Sequence, residues 1–413
     1  MKFTFSKKQE INTDEAKIEE ILNRSVSTIY PSKDDFKKLL LSGKQLRIYV
    51  GIDPTATYVH LGHSTNYIIL KRLHELGHKI IVLVGDFTAM IGDPSDKNSL
   101  RKQLTKKDVF QNLKTFKQQI GKILPFKDKR NPIDFVYNSK WLGKLNFNDL
   151  VNLASKFTVQ QMIERDAFQK RIKEQKPLYV HEFFYPLMQG YDSVVLKADV
   201  EIGGTDQTFN MLAGRILVKD FQKREKMVMT TTLLENPLTG EKLMSKSLGT
   251  GIALNEDYKN MFGKIMRLPD EALLQVFTDC TNLSLLEIER IKNELRQGIN
   301  PRNIKLRLAK EIVSMYHSAE DANKAEQDFI NTFSKGGIPE NVLEIKVLKD
   351  EKMADVLLKT GTVESKGEWR RLVLQGGVSN AETDEKITSP DETVRNITLK
   401  VGKKRFIKLV CSE

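Results

Sequence analysis

The sequence has little of what marks secreted, membrane-spanning or metal-bound proteins. Its 413 residues include two cysteines, Cys280 and Cys411. A pair so far apart offers neither a disulfide framework nor the close spacing of a metal site. No apolar run approaches the ~20 residues a membrane span needs. The opening MKFTFSKKQE lacks the apolar core of a signal peptide. Prolines number only 12 and no tract is compositionally biased, which argues against extended disorder. The absences together predict a soluble, cytoplasmic protein with no bound metal and no membrane association. The length allows two or three domains with a sizeable core.

Positive charge is present in excess. The net charge is +12, and residues 97–130 carry eleven Lys/Arg against Asp108 and Asp128. A basic stretch of this kind predicts a polyanionic partner; the plainer reading is a solvated face that keeps the protein soluble.

The chain is organised around residues 46–63, LRIYVGIDPTATYVHLGH. Leu46 to Ile52 reads as a buried strand. Asp53-Pro54-Thr55 breaks it, and apolar positions at Leu61, Tyr67, Leu70, Leu73 and Leu76 mark a helix ending at Gly77. His60-Leu61-Gly62-His63 therefore stands at a helix N-terminus, where free N–H groups favour phosphate. Gly62 leaves room for a ligand close to the backbone, and two imidazoles can stabilise charge growing on phosphate oxygens. Lys79 to Val84 is a second buried strand. A parallel crossover puts the loop holding Gly92-Asp93-Pro94-Ser95 at the same sheet edge as the His60 loop, where open α/β sheets bind ligands.

The stretch G-I-D-P-T-A-x-x-x-H-L-G-H resembles the HIGH signature region of class I aminoacyl-tRNA synthetases, in the form found in tyrosyl-tRNA synthetases. Further motifs resemble the same family in the same order. Tyr185, Gln189 and Asp192 in HEFFYPLMQGYD fall at i, i+4 and i+7, one face of a helix that Pro186 can open. Val194 to Ile202 reads as one or two strands. Gly203-Gly204-Thr205-Asp206-Gln207 is similar to the family's G-G-x-D-Q element. Glu241-Lys242-Leu243-Met244-Ser245-Lys246-Ser247 resembles its KMSKS loop, with Leu243 in place of the first lysine. Either Lys242 replaces that charge or the loop works with Lys246 alone. In the loop after the second strand, Asp96 replaces the second glycine of the family's G-D-P-S-G-K. The last 72 residues are similar to the S-four-like RNA-binding module, with Trp369 where a small residue is usual.

The resemblance implies a Rossmann-like parallel-sheet catalytic domain over 1–250, interrupted by a connective peptide at about 97–180. It implies a helical domain over 251–335 and a small α+β domain over 342–413. The activity implied is ATP-dependent attachment of tyrosine to tRNA(Tyr), with magnesium accompanying ATP, by a homodimer. Thr55, His60, His63 and Lys246 would act on the phosphates. Tyr49 and Asp192 would hold the substrate phenol, Tyr185, Gln189 and Asp93 its ammonium group, and Gln207 its carboxylate. Asp53, Gly62, Gly203, Gly204, Asp206, Lys242, Met244, Ser245, Lys246 and Ser247 would line the ATP site. Lys366, Arg370, Arg371 and Gln375 would meet RNA backbone. The alternatives are a tryptophanyl enzyme, against which Tyr49 and Asp192 speak, and a synthetase-derived RNA-binding protein without catalysis, for which Leu243 speaks. A nucleotidyltransferase acting on a small metabolite would share the paired histidines but not the RNA module.

Overall fold

The computed structural model describes residues 10–94, 104–244, 250–334, 342–348, 351–383, 385–402 and 405–412. The chain divides into two compact units, Met1–Ala319 and Glu320–Glu413.

The first unit is built on a six-stranded sheet of β1 (Val26–Tyr30), β2 (Arg47–Ile52), β3 (Lys79–Val84), β4 (Asp134–Tyr137), β5 (Val200–Gly204) and β6 (Met227–Thr231). Their order is β1-β6-β5-β2-β3-β4. All neighbours run parallel except β1, which pairs antiparallel with β6 at the edge. From β2 the chain winds outward through β3 to β4, then returns to the other side of β2 with β5 and β6. The crevice at the carboxyl ends of β2 and β5 is therefore the switch point where ligands bind in such sheets. In β3 every residue after Lys79 is buried, as a strand covered on both faces requires.

The Leu61–Glu75 helix follows β2 and buries Leu61, Tyr67, Leu70 and Leu73, the stripe its spacing predicts. The Lys33–Leu41 helix opens with the Asp35 N–H donating to Ser32 Oγ (3.1 Å). Two elements differ from expectation. Pro186 does not open its helix, which begins at Val180 and has Pro186 inside it. Val194 and Val195 are the last turn of that helix, not strand; β5 starts only at Val200. An apolar run of four or five residues has no period that separates buried helix from buried strand. The Val180–Val195 and Thr208–Gln222 helices pack closely through glycine: a Cβ at Gly190 would meet Leu217 Cδ1 at 2.8 Å.

The helices from Tyr258 to Tyr316 belong to the same compact unit as the sheet. Arg24 ties the start of the chain to them by donating to the carbonyls of Thr278 (2.8 Å) and Thr281 (2.7 Å). No helix among the described residues is long and apolar enough to cross a membrane.

The second unit is α+β. Its strands are β7 (Leu343–Leu348), β8 (Val378–Asn380), β9 (Ile397–Val401) and β10 (Arg405–Ser412), in the order β7-β10-β9-β8. Helices Met353–Lys359 and Lys366–Leu374 accompany this sheet, in a unit whose core includes Leu357, Trp369, Leu399 and Leu409. Trp369 is fully enclosed, and its indole N–H is satisfied by the Pro390 carbonyl at 2.8 Å.

His78, just before β3, ties the starts of two strands. Its Nδ1 accepts from the Leu46 N–H (3.3 Å), and its buried Nε2 has no hydrogen-bond partner among the described residues. Burial depresses its pKa from 6.5 to about 4. The neutral ring therefore stabilises the fold above pH 6.5, and that contribution is lost as the pH falls toward 4. At 1.36 kcal/mol per pKa unit the loss is about 3 kcal/mol. Urea unfolding from pH 7 to 4 is expected to fall less steeply in stability for His78→Gln than for the unaltered chain. Parallel curves would contradict the assignment.

Candidate active site

The site is assembled where β2 ends. Asp53, the first residue beyond it, accepts from Thr88 Oγ1 (2.8 Å) and from Tyr185 Oη (3.0 Å). This joins the exits of β2 and β3 to the Val180–Val195 helix. Gly85 is required beneath it, since a Cβ there would collide with Asp53 Oδ1. Thr55 is exposed two residues on, its N–H donating to the Asp53 carbonyl (2.8 Å).

His60 caps the Leu61–Glu75 helix in extended conformation, and its N–H donates to His63 Nδ1 (3.1 Å). The rings stack at 3.6 Å between centroids. A Cβ on Gly62 would lie 3.2 Å from His60 Nδ1 and 3.4 Å from Met244 Cβ. Beyond the lysine loop, Leu61 N–H donates to the Ile252 carbonyl (2.9 Å) and Leu254 N–H to Val59 (2.8 Å). The chain just beyond the 245–249 segment is thus fastened to the HLGH turn, and Met244, just before that segment, lies close to Gly62. Ser245, Lys246 and Ser247 lie outside the described residues, as do Ser95 and Asp96. Lys242 reaches sideways, its ammonium 3.3 Å from Asp206 Oδ2. Gly203 and Gly204 close β5, and a Cβ on Gly204 would press on Asp206 Oδ1 at 2.7 Å.

The other predicted pocket residues are brought together, several through partners the sequence did not reveal. Asp93 accepts from Gln207 Nε2 (2.7 Å) and from the Arg165 guanidinium (3.0 Å). Asp192 is buried and accepts from Trp141 Nε1 (2.6 Å) and Asn138 Nδ2 (3.2 Å). Burial pushes its carboxyl well above the usual range, against the pull of those two donors. Tyr49 is fully buried, its hydroxyl 2.8 Å from Ser193 Oγ. Gln189 donates to Glu201 Oε1 (3.0 Å). The phenols of Tyr49 and Tyr185 are both raised well above the ordinary value, first by burial and then by nearby carboxylates.

Arg165, Asn138 and Trp141 come from the charged connecting segment, where nothing in residue spacing sets them apart. Glu201 carried the best missed signal, a carboxylate inside an apolar strand. In the second unit, Lys366, Arg370, Arg371 and Gln375 are exposed on or just after one helix. Lys366 pairs with Asp355 at 2.5 Å.

Residues 41–334 match the family described as tRNA synthetases class I (W and Y). The chain belongs to that family. It is 44% identical over 406 residues to a tyrosine–tRNA ligase of Carboxydothermus hydrogenoformans, covering 95% of this chain and 97% of that one. It is 41% identical to tyrosine–tRNA ligase 2 of Clostridium acetobutylicum, covering 94% and 97%. Among solved structures, the fold is shared with a C-terminally truncated mitochondrial tyrosyl-tRNA synthetase of Aspergillus nidulans. That match has a TM-score of 0.66 at 23% identity, over 77% of this chain and 94% of that one. Within the tryptophan and tyrosine group, the chain therefore stands with the tyrosyl-tRNA synthetases.

Gly85→Ala is expected to overpack the Asp53 site and lower stability by about 1–3 kcal/mol. Gly51→Ala, whose Cβ meets nothing within 4 Å, is expected to leave the urea midpoint in place. Equal midpoints for the two variants would show that Asp53 is not tightly held.

Proposed function

We propose that the chain activates tyrosine with ATP and transfers it to the 3′ end of tRNA(Tyr). What supports this most is that the HLGH turn, the flanks of the lysine loop, and the Asp53–Tyr185 and Asp192 clusters share one sheet edge. In the first step a tyrosine carboxylate oxygen bonds to the α-phosphorus of ATP, the bond to the bridging oxygen breaks, and pyrophosphate leaves. The nucleophile is already ionised, so no strong general base is needed. Catalysis is positioning plus stabilisation of phosphate charge. His60 and His63, at the positive end of their helix, serve that purpose, together with Thr55 and Lys246.

Gly62 lets ATP approach the turn, and Gly203, Gly204 and Asp206 take its ribose. Asp53, Met244, Ser245 and Ser247 complete the nucleotide's surroundings. Lys242, which contacts Asp206, supplies a charge beside the position that Leu243 leaves neutral. Asp192 and Tyr49 read the substrate hydroxyl, Tyr185, Gln189 and Asp93 its ammonium, and Gln207 its carboxylate. Magnesium enters with ATP.

In the second step a terminal ribose hydroxyl of tRNA attacks the adenylate carbonyl and AMP leaves. The basic stretch within 97–130 lies toward the acceptor end, and the second unit, read as S-four-like, holds RNA through Lys366, Arg370, Arg371 and Gln375. Exposed Phe110, Phe147 and Val159 in the connective segment are offered to a second copy, giving a cytoplasmic homodimer.

His60→Ala is expected to slow adenylate formation by about 10²–10³-fold, the usual cost of one transition-state donor. Tyrosine affinity should stay within twofold. Stopped-flow measurement of adenylate formation with equilibrium tyrosine binding separates the two. Equal losses in both would make His60 structural and contradict its proposed role.

A further inference from the structure

Behind the pocket lies a buried ion pair with no part in the steps above. Glu201 on β5 and Lys226, one residue before β6, are both buried and bonded to each other. Taking two charges out of water is costly, so their presence is explained best by what they hold. Glu201 Oε1 accepts from Gln189 Nε2 (3.0 Å), and its Oε2 lies 3.2 Å from Ser193 Oγ. Ser193 Oγ is 2.8 Å from Lys226 Nζ and 2.8 Å from the Tyr49 hydroxyl. Glu201 stands opposite Tyr49 in the register of β2 and β5, and the Lys226 ammonium lies 6.0 Å from the Tyr49 ring centroid. The pair thus grips one residue read as an ammonium contact and, through Ser193, one read as a phenol contact. Gly214 completes the arrangement: a Cβ there would run into the Lys226 ammonium and lie 2.8 Å from Ser193 Oγ.

We infer that the Glu201–Lys226 pair, acting through Ser193, is the positioning element that fixes Gln189 and Tyr49 at the two ends of bound tyrosine. This rests on the reading of those two residues as tyrosine contacts. Lys226 is a positioning residue and touches no substrate, so its loss should loosen amino-acid recognition and leave nucleotide chemistry intact.

The test is tyrosine-dependent ATP–pyrophosphate exchange by the full chain, with melting curves for each variant. Tyr49→Phe and Gln189→Ala are expected to raise KM for tyrosine at least fivefold, which checks the underlying reading. Lys226→Met and Gly214→Ala are expected to do the same, with kcat and KM for ATP within twofold. Should Lys226→Met not fold, Gly214→Ala decides, because it keeps both charges and adds only a helix-favouring methyl. A KM for tyrosine within twofold in these folded variants, while Tyr49→Phe and Gln189→Ala raise it, would overturn the inference alone. No change in Tyr49→Phe and Gln189→Ala would overturn the pocket reading and the inference with it.

Discussion

The site depends on the grip of Thr88 and Tyr185 on the Asp53 carboxylate. That one group binds together the end of β2, the turn after β3 and the middle of the Val180–Val195 helix. The carboxylate is partly buried, and each of its oxygens accepts one of these hydrogen bonds, so neither is left unpaired where leaving it so is costly. Gly85 makes the space, Thr88 and Tyr185 supply the donors, and the Pro54–Thr55 turn carries the chain on to His60. The switch point between β2 and β5 opens the crevice; the Asp53 cluster gives it a fixed floor.

Around that cluster, polar residues are held in pairs. Gln207 leans on Asp93, Lys242 on Asp206, and Gln189 on Glu201. Groups held this way do not have to be ordered when ligand arrives, which is the physical content of preorganisation. The same economy governs Asp192. Its two donors, Trp141 and Asn138, hold a carboxyl that burial pushes toward the protonated form.

Much of this was legible in the sequence where local chemistry and global fold agree. The strand at 79–84 and the helix starting at Leu61 follow from period and helix-end signals alone. The candidate residues Asp53, His60, His63, Tyr185 and Asp192 stood in ordered motifs. The rest was hidden for definite reasons. The 194–202 run could not be split into helix and strand without knowing that both are buried. β1 and β6 went unread because Thr- and Ser-rich VSTIY and the short MVMTT lack alternation. Arg165 and Trp141 act across large sequence distances, and a lysine such as Lys226 looks like any solvated charge until the fold buries it.

The central claim is that this pocket is built for an amino acid whose side chain ends in a hydroxyl. The most direct measurement is ATP–pyrophosphate exchange without tRNA, run separately with each of the twenty amino acids. A site with buried polar groups awaiting a hydroxyl rejects an analogue that lacks it, a rule for which tyrosyl enzymes are themselves the standing example. The account predicts exchange with tyrosine and none above background with phenylalanine or tryptophan. Exchange with tryptophan, or equal exchange with phenylalanine, would contradict it.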